Sequence, residues 1–509
     1  MASKKTIAIA ALVSIGYHLG LSALCLLRAL PERGLGEFWL FVGLDSLAIF
    51  VILIPLVAVL RKELRWYDPI ALIFLLFLYT NCTFLLVFIF DPRFVRAWMA
   101  FGSGLFQNLS SEDFFLCLCE ARVVLLVFLG ALLATNARSV PWRPYGWTGT
   151  TRGRAVALVV ALVCVLLGIV GFFLAWPAGA FAYKVVHEMG SATTSTSFSS
   201  NPRFLTFINI GIAAVPLGLA AWLGPRGAKR PIRGLPLWIA IAVLVGSVSP
   251  HLAFGSRITV VIAIVSGLMI LGSLGVRIER TGAAMAFAAA ALLVGAISLA
   301  RGNPTVQREG LAAFRDLSAL ATDLGESRGS PLGPLLDADR TAVVALIVEA
   351  TSSRADFVWG ESLLAGPGNL AYAIAHRLTT GQGMNDADRP ILQANERIAL
   401  WRFGHIVDVT AVPPSYPGEF YMQGGYPALL FLSVLFGWGY RQLRVLAAQA
   451  QGLFARFMWL SVALAFAMYS QTESSVVTPA LVLTLLPIAG IYGVTVFFFA
   501  GIRKAPRQS

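Results

Sequence analysis

The sequence predicts an all-α protein that crosses a membrane about twelve times. Three observations predict it. Apolar runs of about 18 or more residues recur along the 509-residue chain, each long enough for a helix to span a bilayer. Hydrophobic residues make up 57% and charged residues 13%, with a mean hydropathy of +0.76; soluble domains carry roughly twice that charge. Lys and Arg gather in alternate short loops, the asymmetry that orients membrane helices.

The predicted spans are 6–30, 38–60, 69–91, 114–135, 155–176, 204–224, 235–252, 257–275, 282–300, 419–440, 457–473 and 478–500. The first follows Lys4 and Lys5 and runs to Leu30 without a small-residue cleavage site, so it reads as a retained span and not a signal peptide. One set of loops holds Lys4 and Lys5, then Arg61, Lys62 and Arg65, then Arg138, Arg143, Arg152 and Arg154. The same set continues with Arg226, Lys229, Arg230 and Arg233, with Arg277 and Arg280, with Arg441 and Arg444, and with Arg503, Lys504 and Arg507. Twelve spans put all of these on one face, and both termini with them, on the cytoplasmic side. The net charge of +13 is then accounted for by topology, and no nucleic-acid partner is implied. Cys25, Cys82, Cys117, Cys119 and Cys164 all lie in apolar runs and read as small core residues.

The hydrophobic pattern is interrupted once, late, by a polar insert. It divides the chain into residues 1–300 with nine spans, residues 301–418 on the outer face, and residues 419–509 with three spans and a cytoplasmic tail. The insert is helical in pattern. Thr305 to Leu324 places Val306, Leu311, Phe314, Leu317 and Leu320 on one face. Thr341 to Ala350 is apolar but too short to span, and Val358 to Leu378 is amphipathic and interrupted at Gly366-Pro367-Gly368. Such pieces suit helices lying at the membrane interface with their polar sides over a cavity. A small subdomain packed on itself is the alternative. On the same face, 177–203 ends in a Ser/Thr-rich loop, and Ser249 to Arg257 forms a tight turn that carries His251.

Beyond Arg301 at its start, the insert contains arginines but no lysine: Arg308, Arg315, Arg328, Arg340, Arg354, Arg377, Arg389, Arg397 and Arg402. Guanidinium recognises phosphate in a bidentate way and stays charged near lipid, so this composition points to a phosphate-bearing, lipid-linked substrate. Solvated surface arginines in a Lys-poor chain are the bland alternative. Arg257 stands at the head of a span after Gly255-Ser256, where a charge faces protein or a water-filled cavity more readily than lipid. His376 is followed by Arg377, and His405 lies three residues after Arg402. Imidazole beside guanidinium is held neutral and can act as a general base on a hydroxyl. Glu419, at the mouth of the tenth span after Pro413, Pro414 and Pro417, is either a helix N-terminal acid or a second candidate base. Asp45, Glu120, Arg122 and Glu473 fall inside spans and must pair or line a cavity. Nothing has the spacing of a P-loop, a dinucleotide fingerprint or a metal site, so no cofactor or metal is implied.

Gly255-Ser256-Arg257 at the head of a span, the late outer insert, and Pro414-Ser415-Tyr416-Pro417-Gly418-Glu419-Phe420-Tyr421 with Gly424-Gly425-Tyr426 leading into the next span together resemble the O-antigen polymerases of the Wzy type. The resemblance implies a GT-C-like fold in the bacterial inner membrane. It also implies transfer of a growing glycan from undecaprenyl diphosphate to a new lipid-linked repeat unit, as in O-antigen, capsule or exopolysaccharide synthesis. Arg257 is assigned to diphosphate binding by motif, and Arg354, Arg377 and Arg402 by location. His376, His405 and Glu419 are the candidate catalytic groups, and Tyr416 and Tyr421 the candidate glycan contacts. The expected partners are undecaprenyl-diphosphate-linked oligosaccharide, membrane lipid and a chain-length regulator protein. An O-antigen ligase has a similar layout, and a lipid-linked oligosaccharide flippase is the rival from the transporter class.

Overall fold

The computed structural model describes residues 3–27, 35–85, 87, 111–137, 150–175, 202–227, 230–253, 257–279, 288, 339–354, 357–381, 389–403, 414–469, 477–478 and 481–501. Secondary structure there is helical apart from one isolated bridge, Ile232 to Ile278. In chain order the helices are α1 (Lys4–Leu27), α2 (Leu35–Leu60), α3 (Pro69–Asn81), α4 (Ser111–Asn136), α5 (Thr151–Ala175), α6 (Pro202–Gly227), α7 (Leu235–Ala253) and α8 (Arg257–Ser273). There follow α9 (Thr341–Arg354), α10 (Glu361–Thr380), α11 (Ala394–Phe403), α12 (Ser415–Met422), α13 (Gly425–Gln449) and α14 (Leu453–Tyr469). A π-helical turn, Leu481–Leu485, leads into α15 (Leu486–Gly501).

Five stretches are long and apolar enough to cross a membrane: Gly36–Leu60, Asp113–Asn136, Thr151–Leu174, Thr206–Gly227 and Leu481–Ala500. Shorter apolar helices accompany them, and together they support a multi-pass membrane protein. The predicted span 282–300 and the predicted helix 305–324 lie outside the described residues.

The chain forms two compact units. Residues 1–140, 329–442 and 466–478 make the first; residues 141–328, 443–465 and 479–509 make the second. In the second, α5 and α6 are the most closely packed pair. Glycines permit that approach: a Cβ on Gly211 would stand 3.0 Å from the Gly168 Cα and 3.2 Å from the Cys164 carbonyl oxygen. Lipid is as apolar as the helices, so close packing through small residues, and not water exclusion, holds such a pair together. At the end of α13, the Arg456 guanidinium donates to the Ala447 and Ala448 carbonyls at 3.2 and 3.1 Å and so caps that helix. Arg441 and Arg444, expected in a short loop, instead lie within α13, and Arg444 is only 1% exposed.

The first unit packs α2 on α1, α3 and α4, and α9 on α4 and α12. Helix α9 corrects the interfacial expectation for Thr341 to Ala350. Residues 341–348 are all buried, with Ile347 and Val348 at 0% and 1% exposure. Its run Ala342-Val343-Val344-Ala345-Leu346-Ile347-Val348 is apolar on every face, and a helix apolar all round has no side to offer water. Gly418 of α12 admits it, since a Cβ there would stand 3.0 Å from Ile347 Cδ1.

Helix α3 starts under a cap: Asp68 accepts from the Ile70 amide at 3.0 Å, with Pro69 in the first turn. It stops at Asn81 inside the predicted span 69–91, bends at Cys82 and Thr83, and is helical again at Phe84 and Leu85. A break within an apolar span exposes backbone groups that lipid cannot satisfy, at several kcal/mol each. Here they are satisfied from other helices. On the upstream side, the Thr80 carbonyl accepts from the Arg340 amide at 2.5 Å, and the Asn81 carbonyl accepts from Thr341 Oγ1 at 3.0 Å and from Arg122 Nη1. On the downstream side, Asp339 Oδ2 accepts from the Thr83 amide at 2.9 Å, the Thr83 hydroxyl at 3.1 Å and the Phe84 amide at 2.6 Å. Asp339 Oδ1 also takes the Thr341 amide at 2.8 Å, starting α9. Arg122 pairs with Asp45 at 2.8 Å and lies over the Phe41 ring, 5.2 Å from its centroid; Tyr17 donates to the second Asp45 oxygen at 3.3 Å.

Candidate functional site

The stretch that carries the family resemblance builds a helix–turn–helix in the first unit. Glu419 was expected at the mouth of the span after the prolines, but α12 already begins at Ser415. Pro417 falls in its first turn, where the missing N–H has no intrahelical partner to lose. The chain turns at Gln423-Gly424 and restarts as α13 at Gly425, whose φ of +67° is a conformation glycine adopts without strain.

Glu419 is therefore not at a helix mouth. It lies in the second turn of α12 at 0% exposure, and its Oε1 accepts from Ser362 Oγ at 3.1 Å. Gln423 closes the same network. Its side-chain nitrogen donates to Ser362 Oγ and to the Glu419 carbonyl, both at 2.8 Å, and its oxygen accepts from the Gly360 amide at 2.6 Å. This joins α12 to the start of α10. Tyr416, at 2% exposure, stacks on Phe420 and meets Phe436 edge-on, with centroids 5.6 and 4.8 Å away, so its ring belongs to the packed core.

Tyr421 points elsewhere. Its hydroxyl donates to Glu120 Oε1 on α4 at 3.0 Å, and the Tyr426 hydroxyl reaches the same oxygen at 3.4 Å. The two rings meet edge to face, 5.2 Å apart. Glu120 is half-buried and Tyr426 is 37% exposed, so this carboxylate is approachable. A carboxylate with one oxygen oriented by two phenols can take a proton from a hydroxyl brought within about 3 Å.

Against the Gly424 turn that links Tyr421 to Tyr426 stands Trp359, 79% exposed, at φ +49°. A bulky residue in that region is strained by of order 1–3 kcal/mol, so the surroundings must hold it. They do so on both sides: the Val358 amide donates to the Met422 carbonyl at 2.9 Å, and the Gly360 amide to Gln423. A Cβ on Gly424 would stand 3.4 Å from the Trp359 ring, and one on Gly425 3.4 Å from the Phe357 ring.

The remaining candidates are not gathered at this point by anything described. Helix α10 runs unbroken through Gly366-Pro367-Gly368, and Gly368 is a packing contact: a Cβ there would stand 2.5 Å from Ile391 Cδ1. His376 is half-buried and stacks on Tyr372 at 6.0 Å, while Arg377 is exposed one residue on. Arg389 pairs with Glu396 at 3.0 Å and Arg397 with Glu361, so two of the insert's arginines serve local ion pairs. Arg257, Arg354 and Arg402 lie in helices, but their side chains, and all of His405, fall outside the described residues. Among the described residues no group of His, Cys, Asp and Glu could hold a metal.

Trp359, Asp339, Ser362 and Gln423 were not singled out from sequence. The Asp339-Arg340-Thr341 start of an apolar run is a helix N-terminal signal that could have marked Asp339. Comparisons with family models, curated proteins and solved structures find no match.

Proposed function

We propose that this chain is a membrane glycosyltransferase that polymerises undecaprenyl-diphosphate-linked oligosaccharide repeat units on the outer face of the bacterial cytoplasmic membrane. It would cross that membrane about twelve times in a GT-C-like arrangement, with both termini inside. The observation that carries the reading is the Glu120 carboxylate, met by Tyr421 and Tyr426 from the very stretch that resembles the polymerases.

In this reading Glu120 takes the proton of the acceptor sugar hydroxyl as its oxygen bonds to the donor's anomeric carbon. The bond from that carbon to the diphosphate oxygen breaks, and undecaprenyl diphosphate leaves with the electron pair. Arginines neutralise charge building on the diphosphate. Arg257, Arg354, Arg377 and Arg402 are the candidates, and His376, His405 and Glu419 remain alternative proton carriers. Diphosphate is its own leaving group, so no nucleotide need bind. Membrane lipid surrounds the polyprenyl chains, and a chain-length regulator is the expected protein partner.

The test is purified protein in nanodiscs supplied with lipid-linked repeat units. A ladder of glycan lengths supports polymerisation. One transfer to a lipid A-core acceptor without a ladder would mark a ligase, and movement of substrate without turnover a flippase.

A further inference from the structure

We infer that Trp359 is a pyranose-stacking platform on the α12–α13 turn, where a sugar ring of the lipid-linked glycan lies against the indole. The ligand class rests on the polymerase reading; the platform rests on geometry.

Three features make it a built surface. The indole is 79% exposed, yet its backbone occupies the left-handed region at φ +49°, followed by Gly360 at φ +92°. A backbone segment left without partners would relax from that conformation. It is instead fixed by hydrogen bonds one residue before and one after, to Met422 and Gln423 of the α12–α13 turn. Phe357 buttresses it edge-on, with centroids 6.0 Å apart. The Gly424-Gly425 turn packs against both rings, and a Cβ at either position would meet an aromatic atom at 3.4 Å.

The same turn continues into Tyr426, whose hydroxyl reaches Glu120. One Gly-Gly turn thus carries a rigid apolar face on one side and a carboxylate with phenol hydroxyls on the other. A pyranose ring has the complementary surface, with C–H bonds on its face and hydroxyls around its rim. Ligand sites in general combine a large apolar or aromatic wall with a few placed polar groups. An indole that only anchored the helix at the lipid interface would not need the fixed backbone.

The experiment uses the full-length protein labelled with 5-fluorotryptophan in nanodiscs. Among the twelve tryptophans, Trp359→Phe identifies the fluorine line of Trp359. Methyl glucosides, galactosides, mannosides and rhamnosides of both anomers are titrated in, and doxyl-labelled phospholipid is used separately as a broadening agent. The expected result is a saturable shift of the Trp359 line with at least one glycoside and little broadening by the doxyl lipid. Trp359→Ala should weaken binding of lipid-linked repeat units roughly tenfold, and Trp359→Tyr should restore most of it. No shift with any glycoside, or strong broadening by the doxyl lipid, overturns the platform. If the line shifts while the wild-type protein makes no glycan ladder, the sugar site stands and the polymerase reading falls. If a ladder forms with equal substrate dependence in wild type and Trp359→Ala, the platform falls alone.

Discussion

Arg122 and Asp339 cap opposite ends of the same break in α3. Arg122 donates to the Asn81 carbonyl where the helix stops, and Asp339 accepts from the Thr83 and Phe84 amides where it resumes. The signs match the helix dipole at each end: a cation at the carbonyl terminus and an anion at the amide terminus. Arg122 comes from α4, whereas Asp339 comes from the polar insert. The insert is therefore stitched into the first unit by a charge at depth, next to the buried helix it starts.

Asp339→Ala should be severely destabilising. It removes the acceptor of three backbone amides and one hydroxyl in a residue only 3% exposed. Leaving buried donors unpaired costs about 1–3 kcal/mol each, so a loss of roughly 3 kcal/mol or more is expected in reversible unfolding in bicelles. Asp339→Asn keeps an acceptor and should lose less. A loss below about 1 kcal/mol for the alanine variant would mean that water substitutes for the carboxylate.

For the Asp45–Arg122 pair, removing one partner should cost more than removing both. A single change strands a charge in a site where both side chains are at most 1% exposed, at about 3–5 kcal/mol. Each single change also removes one further hydrogen bond: Arg122→Leu takes a donor from the Asn81 carbonyl, which keeps Thr341 Oγ1, and Asp45→Leu takes the acceptor of the Tyr17 hydroxyl. A double-mutant cycle read by the same unfolding assay measures the coupling. Strict additivity would show that the two charges are stabilised independently.

Most predicted spans coincide with a described helix, because a run of apolar residues has no stable alternative in lipid but a helix; 69–91 is broken after Asn81, 419–440 is divided by the turn at Gln423-Gly424, and 282–300 lies outside the described residues. The break in α3 was not legible. Tyr79-Thr80-Asn81-Cys82-Thr83-Phe84 contains neither Gly nor Pro, and the groups that make the break tolerable come from Arg122 and Asp339, far away in sequence. Helix α9 was half legible: its all-round apolar pattern marks a buried helix, but its length alone favoured the interface. At the candidate site, Tyr421 and Glu120 are 301 residues apart and meet only through the packing of α12 on α4. The role of Trp359 was invisible because its strained backbone depends on Met422 and Gln423.

Gly211→Ala should loosen the α5–α6 pair. The added methyl meets backbone atoms at 3.0 and 3.2 Å, which cannot rotate away, so the helices must shift, at a cost of about 1–3 kcal/mol. Gly43→Ala in α2 is the matched control, since nothing lies within 4 Å of its new Cβ, and it should be neutral to within about 0.5 kcal/mol. Equal effects of the two substitutions would count against small-residue packing as the cause.

The loop after α2 predicts a pH-dependent tether. Glu63 accepts from the Ser3 amide at 3.1 Å, from Ser3 Oγ at 2.6 Å and from Thr6 Oγ1. These bonds favour the carboxylate and hold its pKa below the ordinary value of 4.5. A depressed folded value means that the tether is present in full above about pH 4.5 and is lost as pH falls through the lower folded pKa. Hydrogen exchange at the Ser3 and Thr6 amides, corrected for intrinsic rate, should accelerate only under acid, and Glu63→Gln should abolish that acid dependence. The carboxylate is exposed, so the effect should be confined to the helix start and leave global stability unchanged. Acid acceleration that survives in the glutamine variant would place its cause in another group.

Glu120→Gln separates a chemical role from a packing role at the candidate site. Glutamine keeps the shape and an oxygen that can accept from Tyr421 and Tyr426, so unfolding stability should move by less than about 1 kcal/mol. It cannot take a proton, and loss of a general base lowers turnover by about 100-fold or more. The glycan ladder should therefore collapse while lipid-linked substrate still binds. Tyr421→Phe and Tyr426→Phe should each weaken activity less, because they remove one orienting hydrogen bond and leave the carboxylate in place. A glutamine variant with wild-type turnover would move the proton-accepting role to another group, with His376, His405 and Glu419 next in line.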